Sequence, residues 1–519
     1  MIGDWDPANN YGCTVALSPV YERLAQGDWA RGPAGTNEFN FAHYGYIPNE
    51  LVKGLLAENW EQPDPLTLIV HLRKGVRFHN VTPVNGREMT ADDVVYSYNR
   101  LNKSTITRSQ MKIVDYTVTE SITATDKYTV VWKFSRPYSQ TVTETLLANA
   151  GFIHPHEMVE AGNFGDWRNV CGTGPFTLAD FVADSSYVYK RNPNYWGYDE
   201  LNPKNRLPYV DTVRNMVIID RSTQLAALRT GKLDSLVLVS PSEAKTLETA
   251  TQLKRTDVLQ WTSCPAVDMR CDVQPFSDIR VRQAMSMAID YQGIIRDYLG
   301  GKGEIINIPS LANYGEFYTP FDELPKDIRE IYSYNPEKAR QLLAAAGYTT
   351  GFEVEAIMPV AEFDEQAAIL AGYWETIGIH VKYKVLEYAT LYSLRSRRDY
   401  NKMLLGRMGV SDPIRVCSTW KSDSVGNLAF ANDPVYDQMV GKLLSTVDKP
   451  SINAAVKECT EYLLRQVWEI RFPHGYSYNY YQPWLKNYHG EVQLGLYDFG
   501  GIFARVWIDQ DLKKSISGR

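Results

Sequence analysis

The chain has 519 residues, 44% of them hydrophobic and 22% charged, with a formal net charge of −7. That composition belongs to a globular protein and excludes wholesale disorder; the acidic balance, with no basic stripe, argues against a nucleic-acid binder. Apolar runs such as "LVLV" are far too short to span a bilayer, and the length predicts two to four domains or one multi-lobed body.

The elements follow in chain order. "LTLIVHLRKGVRFH" alternates and is rich in β-branched residues, so it reads as strands. Within "LRKGVRFHN", Leu72, Val76 and Phe78 supply an apolar side, Gly75 allows a turn, and Arg73, Lys74, Arg77 and His79 are expected in solvent. "TADDVVYSYNRL" predicts a helix with Thr90 as N-cap and Asp93 completing a capping box. "DKYTVVWKFSRP" predicts a further strand closed by proline. In "PFSDIRVRQAMSMAID", Val281, Ala284, Met285, Ala288 and Ile289 form a helical stripe, with Arg280 and Arg282 off it. "NPEKARQLLAAAGY" is a helix capped by Asn335, with Pro336 in its first turn and Gly347 at its end. A strand "FEVEAIMP", a helix through "EQAAILAGYWETIG" and a strand "IHVKYKVLE" come next, the grammar of an α/β sheet with packed helices.

Familiar catalytic signatures are absent: no phosphate loop, no GxGxxG, no HExxH and no GxSxG. "CGTGPF" lacks the lysine of a phosphate loop and reads as a tight turn needing Gly172 and Gly174. "HPH" at His154–His156 fits a loop better than a metal site, so no metal or other cofactor is expected. The six cysteines, Cys13, Cys171, Cys264, Cys271, Cys417 and Cys459, form no CxxC pair. They are either free thiols or partners in up to three disulfides, with Cys264 and Cys271 near enough in sequence for a local bridge. The 34 Tyr and 12 Trp suit either recognition surfaces or a large core.

Ten motifs in collinear order carry a resemblance. "SPVYERL", "LLAENWE", "LIVHLRKGVRFHN", "MTADDVVYSYNRL", "GTGPF", "RNPNYWG", "LRTGKLD", "PFSDIRVRQAMSMAID", "YNPEKARQLLAAAGY" and "ILAGYWETIGIHVKYKV", followed by "SDP", resemble the family 5 extracytoplasmic solute-binding proteins of ABC importers, the peptide/nickel/oligosaccharide group. The resemblance implies an α/β, two-lobed periplasmic-binding-protein fold of the large cluster C type with a third, inserted domain. Mapped onto this chain, lobe I takes 1–45, 166–272 and 473–519, the inserted domain 46–165, and lobe II 273–472. Solute would be captured between the lobes by hinge closure and passed to a permease, with no catalysis. The protein is expected to be a monomer outside the cytoplasm, periplasmic or extracellular. No signal-like segment precedes "MIGDWDPANN", which fits either a cytoplasmic protein or a mature form; the resemblance to an exported family implies the mature form, with or without a lipid anchor when full length.

Seven residues are candidate ligand contacts. Peptide-binding relatives hold the ligand's amino terminus with an aspartate a few residues before an acidic-Pro pair. In "LLGRMGVSDPIRV" that place falls near Gly409, beside Arg407; a slipped register would let Asp412 serve. An arginine there would welcome a carboxylate or sugar hydroxyls. Tyr476 and Tyr478, alternating with Tyr480 on one side of a strand, are either cleft wall or packing across the hinge. Thr173 in the GTG turn offers a hydroxyl, Arg270 sits at the expected first crossing as a contact or a hinge salt bridge, and Trp420 is an aromatic candidate with Trp29 behind it. The solute is expected to be peptide-like, an oligosaccharide, or an aromatic or carboxylate compound. A hydrolase and a chemoreceptor-type binding protein are the competing function classes.

Overall fold

In a computed structural model of the protein, the described residues are 3–518 apart from 43–46, 105–118, 138–145, 149–150, 251, 260–263, 307, 309–311, 361–362, 409–412 and 496. They fall into two compact units, Met1–Val258 with Tyr478–Arg519, and Leu259–Ser477.

In the first unit, β1 (Ala57–Asp64), β2 (Thr67–Leu72), β3 (Thr119–Asp126) and β4 (Thr129–Phe134) form an antiparallel sheet in the order β1-β2-β4-β3. Helix α1 (Ala91–Lys103) packs on it where the alternation predicts, with Tyr98 edge-on to Trp132 at 5.3 Å between centroids. The capping box forms: Thr90 N donates to Asp93 Oδ2 at 2.9 Å. Asp93 also takes Arg87 in two bonds of 2.8 and 2.6 Å, and the same guanidinium reaches Glu157. A second antiparallel sheet follows, β5 (Phe176–Val182), β6 (Ser186–Arg191) and β7 (Thr212–Met216). One continuous core runs from Trp5 and Val20 through Leu68, Trp132 and Phe176 to Leu207. The segment 46–165 therefore shares its interior with its flanks.

Beyond α2 (Arg221–Arg229), β8 (Ser235–Val239) and β9 (Lys254–Leu259) enclose a strand that arrives from the far end of the sequence, in the order β8-β15-β9. That strand, β15, is His474–Tyr481. The chain passes between units at 258–259, within β9, and at 477–478, within β15.

The second unit is built on a mixed five-stranded sheet. Its strands are β10 (Cys264–Met269), β11 (Phe352–Pro359), β12 (Ile379–Leu386), β13 (Met403–Met408) and β14 (Glu469–Arg471), in the order β12-β11-β13-β10-β14. β11 runs parallel to β12 and β13, whereas β10 is antiparallel to both of its neighbours. Helices α3 (Ile279–Met287), α4 (Pro336–Ala345) and α5 (Asp364–Glu375) stand where the periodicity puts them, and α6 (Tyr388–Arg397) follows β12. Asn335 caps α4 by accepting from Lys338 N at 3.0 Å, and Gly347 beyond its end has φ +94°. The stripe Val281, Ala284, Met285, Ala288 and Ile289 is wholly buried. Arg282, off that stripe, is buried as well. Its Nε donates to Gln466 O at 2.9 Å and its Nη1 to Phe276 O at 2.6 Å, so main-chain carbonyls satisfy the buried guanidinium.

Candidate ligand-binding residues

The GTG turn is held by main-chain crowding rather than by left-handed backbone. A Cβ on Gly172 would lie 2.1 Å from Val20 O, and one on Gly174 2.6 Å from the same atom. Between these glycines Thr173 is fully buried, and its Oγ1 has no hydrogen-bond partner of good geometry. It lies near the carboxyl of Glu22, which accepts from Tyr195 Oη at 2.7 Å and Trp196 Nε1 at 3.0 Å. Burial drives the Glu22 pKa up to about 7, against the pull of the Tyr195 and Trp196 hydrogen bonds. Tyr21 Oη accepts from Cys171 N at 3.1 Å. His79 is buried against the same turn, contrary to the solvent position expected for it: its Nε2 is 2.9 Å from Gly174 O, and its backbone N donates to Gly172 O at 2.8 Å. The other cations of "LRKGVRFHN" lie over or beside the surface. Arg73 caps the Trp196 ring at 4.9 Å, Lys74 lies 5.5 Å from the Tyr128 ring, and Arg77 donates to Gly86 O.

Strand β15 carries the tyrosines. Tyr476 and Tyr478 are half-buried, whereas Tyr480 packs with Leu228 and Val239 in a small core. Arg255 lies over the Tyr478 ring at 4.4 Å. On the opposite face Asn479 is buried and fully used: it accepts from Leu238 N and donates to Gly490 O at 2.9 Å and Ala42 O at 3.3 Å.

In the second unit, Arg270 directs its guanidinium inward. It grips Asp272 at 3.0 and 2.6 Å, donates to Tyr400 O at 2.9 Å and covers the Phe430 ring at 4.1 Å. Trp420 is buried in that unit, and Trp29 is buried in the first. Arg407 lies on β13 opposite Pro265. Asp412 and Gly409 lie outside the described residues. Of the seven candidates, Thr173 and Tyr478 belong to the first unit, Arg270, Arg407, Trp420 and Tyr476 to the second, and Asp412 lies outside the described residues.

A cluster with no counterpart among the sequence candidates lies in the second unit. Asp268, Glu469, Arg471 and His474 are all buried. "WEIRFPH" carried the signal, charged residues set inside an otherwise apolar strand run, which is costly unless they pair.

His154 and His156 diverge: the first is buried, with Nδ1 3.2 Å from Phe152 O, and the second faces Glu160 at 3.1 Å on the surface. Among the described residues no group of three or more His, Cys, Asp or Glu is arranged to hold a metal, and no helix is long and apolar enough to cross a membrane. The local Cys264–Cys271 bridge does not form. Extended β10 carries the chain roughly 16 Å from Cys264 before Cys271 is reached, far beyond disulfide reach. Cys271 is a free thiol 3.2 Å from Met269 O.

Residues 51–427 match the family described as bacterial extracellular solute-binding proteins, family 5. The chain belongs to that family. It is 27% identical over 473 residues to heme-binding protein A of Haemophilus influenzae, covering 84% of this chain and 81% of that one. It is 25% identical over 386 residues to the dipeptide-binding protein of Escherichia coli, covering 69% and 68%. Among solved structures, DppA of Helicobacter pylori in complex with the peptide STSA superposes with a TM-score of 0.75 at 21% identity, covering 98% of this chain and 96% of that one. HbpA2 of Haemophilus parasuis gives 0.75 at 21% identity over 98% of each chain. The fold is the α/β, two-lobed class that the collinear motifs implied. The role of the family is solute binding, and its curated relatives bind peptides or heme.

Proposed function

We propose that this family 5 protein binds a small organic, peptide-like solute outside the cytoplasm and hands it, unchanged, to the permease of an ABC importer, working as a monomer. The observation that carries this reading is the family match over residues 51–427, with dipeptide- and oligopeptide-binding proteins among the relatives. Tyr476 and Tyr478 are the favoured contacts, because half-exposed phenol rings offer apolar area and a polar tip. Thr173 follows for its unused hydroxyl, with Arg407 and Asp412 as polar partners. Arg270 and Trp420 are better read as supports of the fold, since their side chains are committed or buried.

A second reading is a flat aromatic solute bearing carboxylates. It is favoured by the similarity to heme-binding protein A and by Arg407 near the place where peptide-binding relatives keep an aspartate.

Mass spectrometry of small molecules released from natively purified, then denatured protein, followed by thermal shift with those molecules, tests both readings. A ligand at about 100 times its dissociation constant adds about 2.7 kcal/mol of stability. Peptides in the released fraction support the first reading and porphyrin-like compounds the second. Steady product formation from a bound solute would sink both.

A further inference from the structure

Asp268 on β10 and Glu469 on β14 stand directly opposite each other in the antiparallel ladder. Both are buried, Asp268 to 2% exposure and Glu469 to 8%. Arg471, two residues on, donates from Nε to Glu469 Oε1, and the two side chains are 5% and 2% exposed. Glu469 Oε2 has no hydrogen-bond partner among the described residues. Two carboxylates set side by side inside the buried sheet repel each other, a state that buried sites relieve by taking up a proton. We propose that one proton lies between the two, held on Asp268 and offered to the unpartnered Glu469 Oε2, so that the pair presents a single negative charge to Arg471 and locks β14 to β10.

The surrounding groups fit a shared proton. Arg395 on α6 and Arg471 favour ionised Asp268, but burial and then the Glu469 charge outweigh them and hold Asp268 well above the usual carboxylate range. Tyr400, beyond α6, has its phenol raised by burial and then by Asp268, and Tyr332 has its own raised by burial, Tyr291 and Glu469, so both stay neutral. His474 supplies no balancing cation: burial and Arg471 push it down to about 3, and both its ring nitrogens lack partners. The device is placed to matter, because β14 leads within three residues into β15, the strand by which the chain leaves this unit at 477–478. Loss of the proton in alkali would set two like charges face to face across the ladder at the foot of that strand.

The test compares full-length wild type, Asp268→Asn, Glu469→Gln and the double variant. In infrared spectra at neutral pH, each single variant should lose the protonated-carboxyl signal of one group, because the remaining acid ionises against Arg471. In thermal melts, Asp268→Asn should gain on wild type as pH rises above the ordinary carboxylate range, since it has no proton to lose. The double variant, which leaves Arg471 with no carboxylate in the ladder, should melt well below the sum of the single effects. An undiminished carboxyl signal in both singles, or simple additivity in the double, overturns the shared proton. If one single fails to fold, the other's spectrum decides alone.

Discussion

His79 Nε2 lies 2.9 Å from the carbonyl oxygen of Gly174, and the same ring's Nδ1 receives the Gly172 backbone N–H at 3.4 Å. One ring nitrogen donates and the other accepts, which is the pattern of a neutral imidazole. The contact joins two motifs ninety-five positions apart, "RFHN" and "GTGPF". Glu22 of "SPVYERL" likewise meets Tyr195 and Trp196 of "RNPNYWG". These four motifs are therefore polar fasteners inside the first unit.

Acid should weaken the protein through its buried histidines. Burial pushes His79 and His154 down to about 4 and His474 to about 3. An unfolded histidine takes its proton near 6.5. Between those values the unfolded chain holds more protons, so stability rises with pH, by about 1.4 kcal/mol per pH unit for each histidine. Melting temperature should fall steadily from about pH 6.5 downward, and His79→Gln should flatten that fall. An equal slope in the variant would show that His79 does not carry it.

Glu22 acts in the opposite direction. Its folded pKa is raised to about 7 by burial, above the ordinary glutamate value, so the folded state holds the extra proton and stability is lost as pH climbs through that window. Glu22→Gln should therefore improve relative to wild type between about pH 5 and about pH 8, on top of a constant loss from the altered hydrogen bonds. Tyr195→Phe should cost about 1–3 kcal/mol at neutral pH by leaving a buried acceptor short of a donor. Denaturant unfolding across pH measures both.

Gly172→Ala should be far worse than Gly162→Ala. The new methyl at 172 would meet the Val20 carbonyl at 2.1 Å, and main chain cannot step aside as a flexible side chain can. At 162 nothing lies within 4 Å and only the φ of +80° is strained, a cost of about 1–2 kcal/mol. Comparable melting temperatures for the two variants would deny the close approach of the GTG turn to Val20.

Much of the architecture was legible because it depends on local pattern. The α3 stripe, the Thr90–Asp93 box, the Asn335 cap and the β11–α5–β12 succession all follow from spacing within one element. What was not legible depends on tertiary pairing. His79 looks solvated in sequence and Arg282 merely lies off the apolar stripe, and only the folded chain supplies the carbonyls that let them be buried. The ligand contacts were least legible, because side-chain type does not reveal whether Arg270 spends its donors on a solute or on Asp272 and Tyr400.

Arg270 and Tyr478 separate support from recognition. Arg270 is bonded to Asp272 and Tyr400 O and lies over Phe430, all within the second unit. Arg270→Ala should lower stability by about 1 kcal/mol, since water can take over the half-exposed Asp272 and only the Tyr400 carbonyl loses a sheltered donor, while ligand affinity per folded molecule stays near wild type. Tyr478 is half-buried with Arg255 above its ring, so Tyr478→Ala removes an exposed aromatic face at smaller cost to the fold. Deleting an aromatic ring that stacks on a bound solute costs about 1–3 kcal/mol, roughly ten- to a hundredfold in affinity. Calorimetric titration of both variants with the solute recovered from the native protein checks this. If Arg270→Ala loses affinity while Tyr478→Ala keeps it, the assignment is reversed, and Arg270 becomes the group that meets the solute.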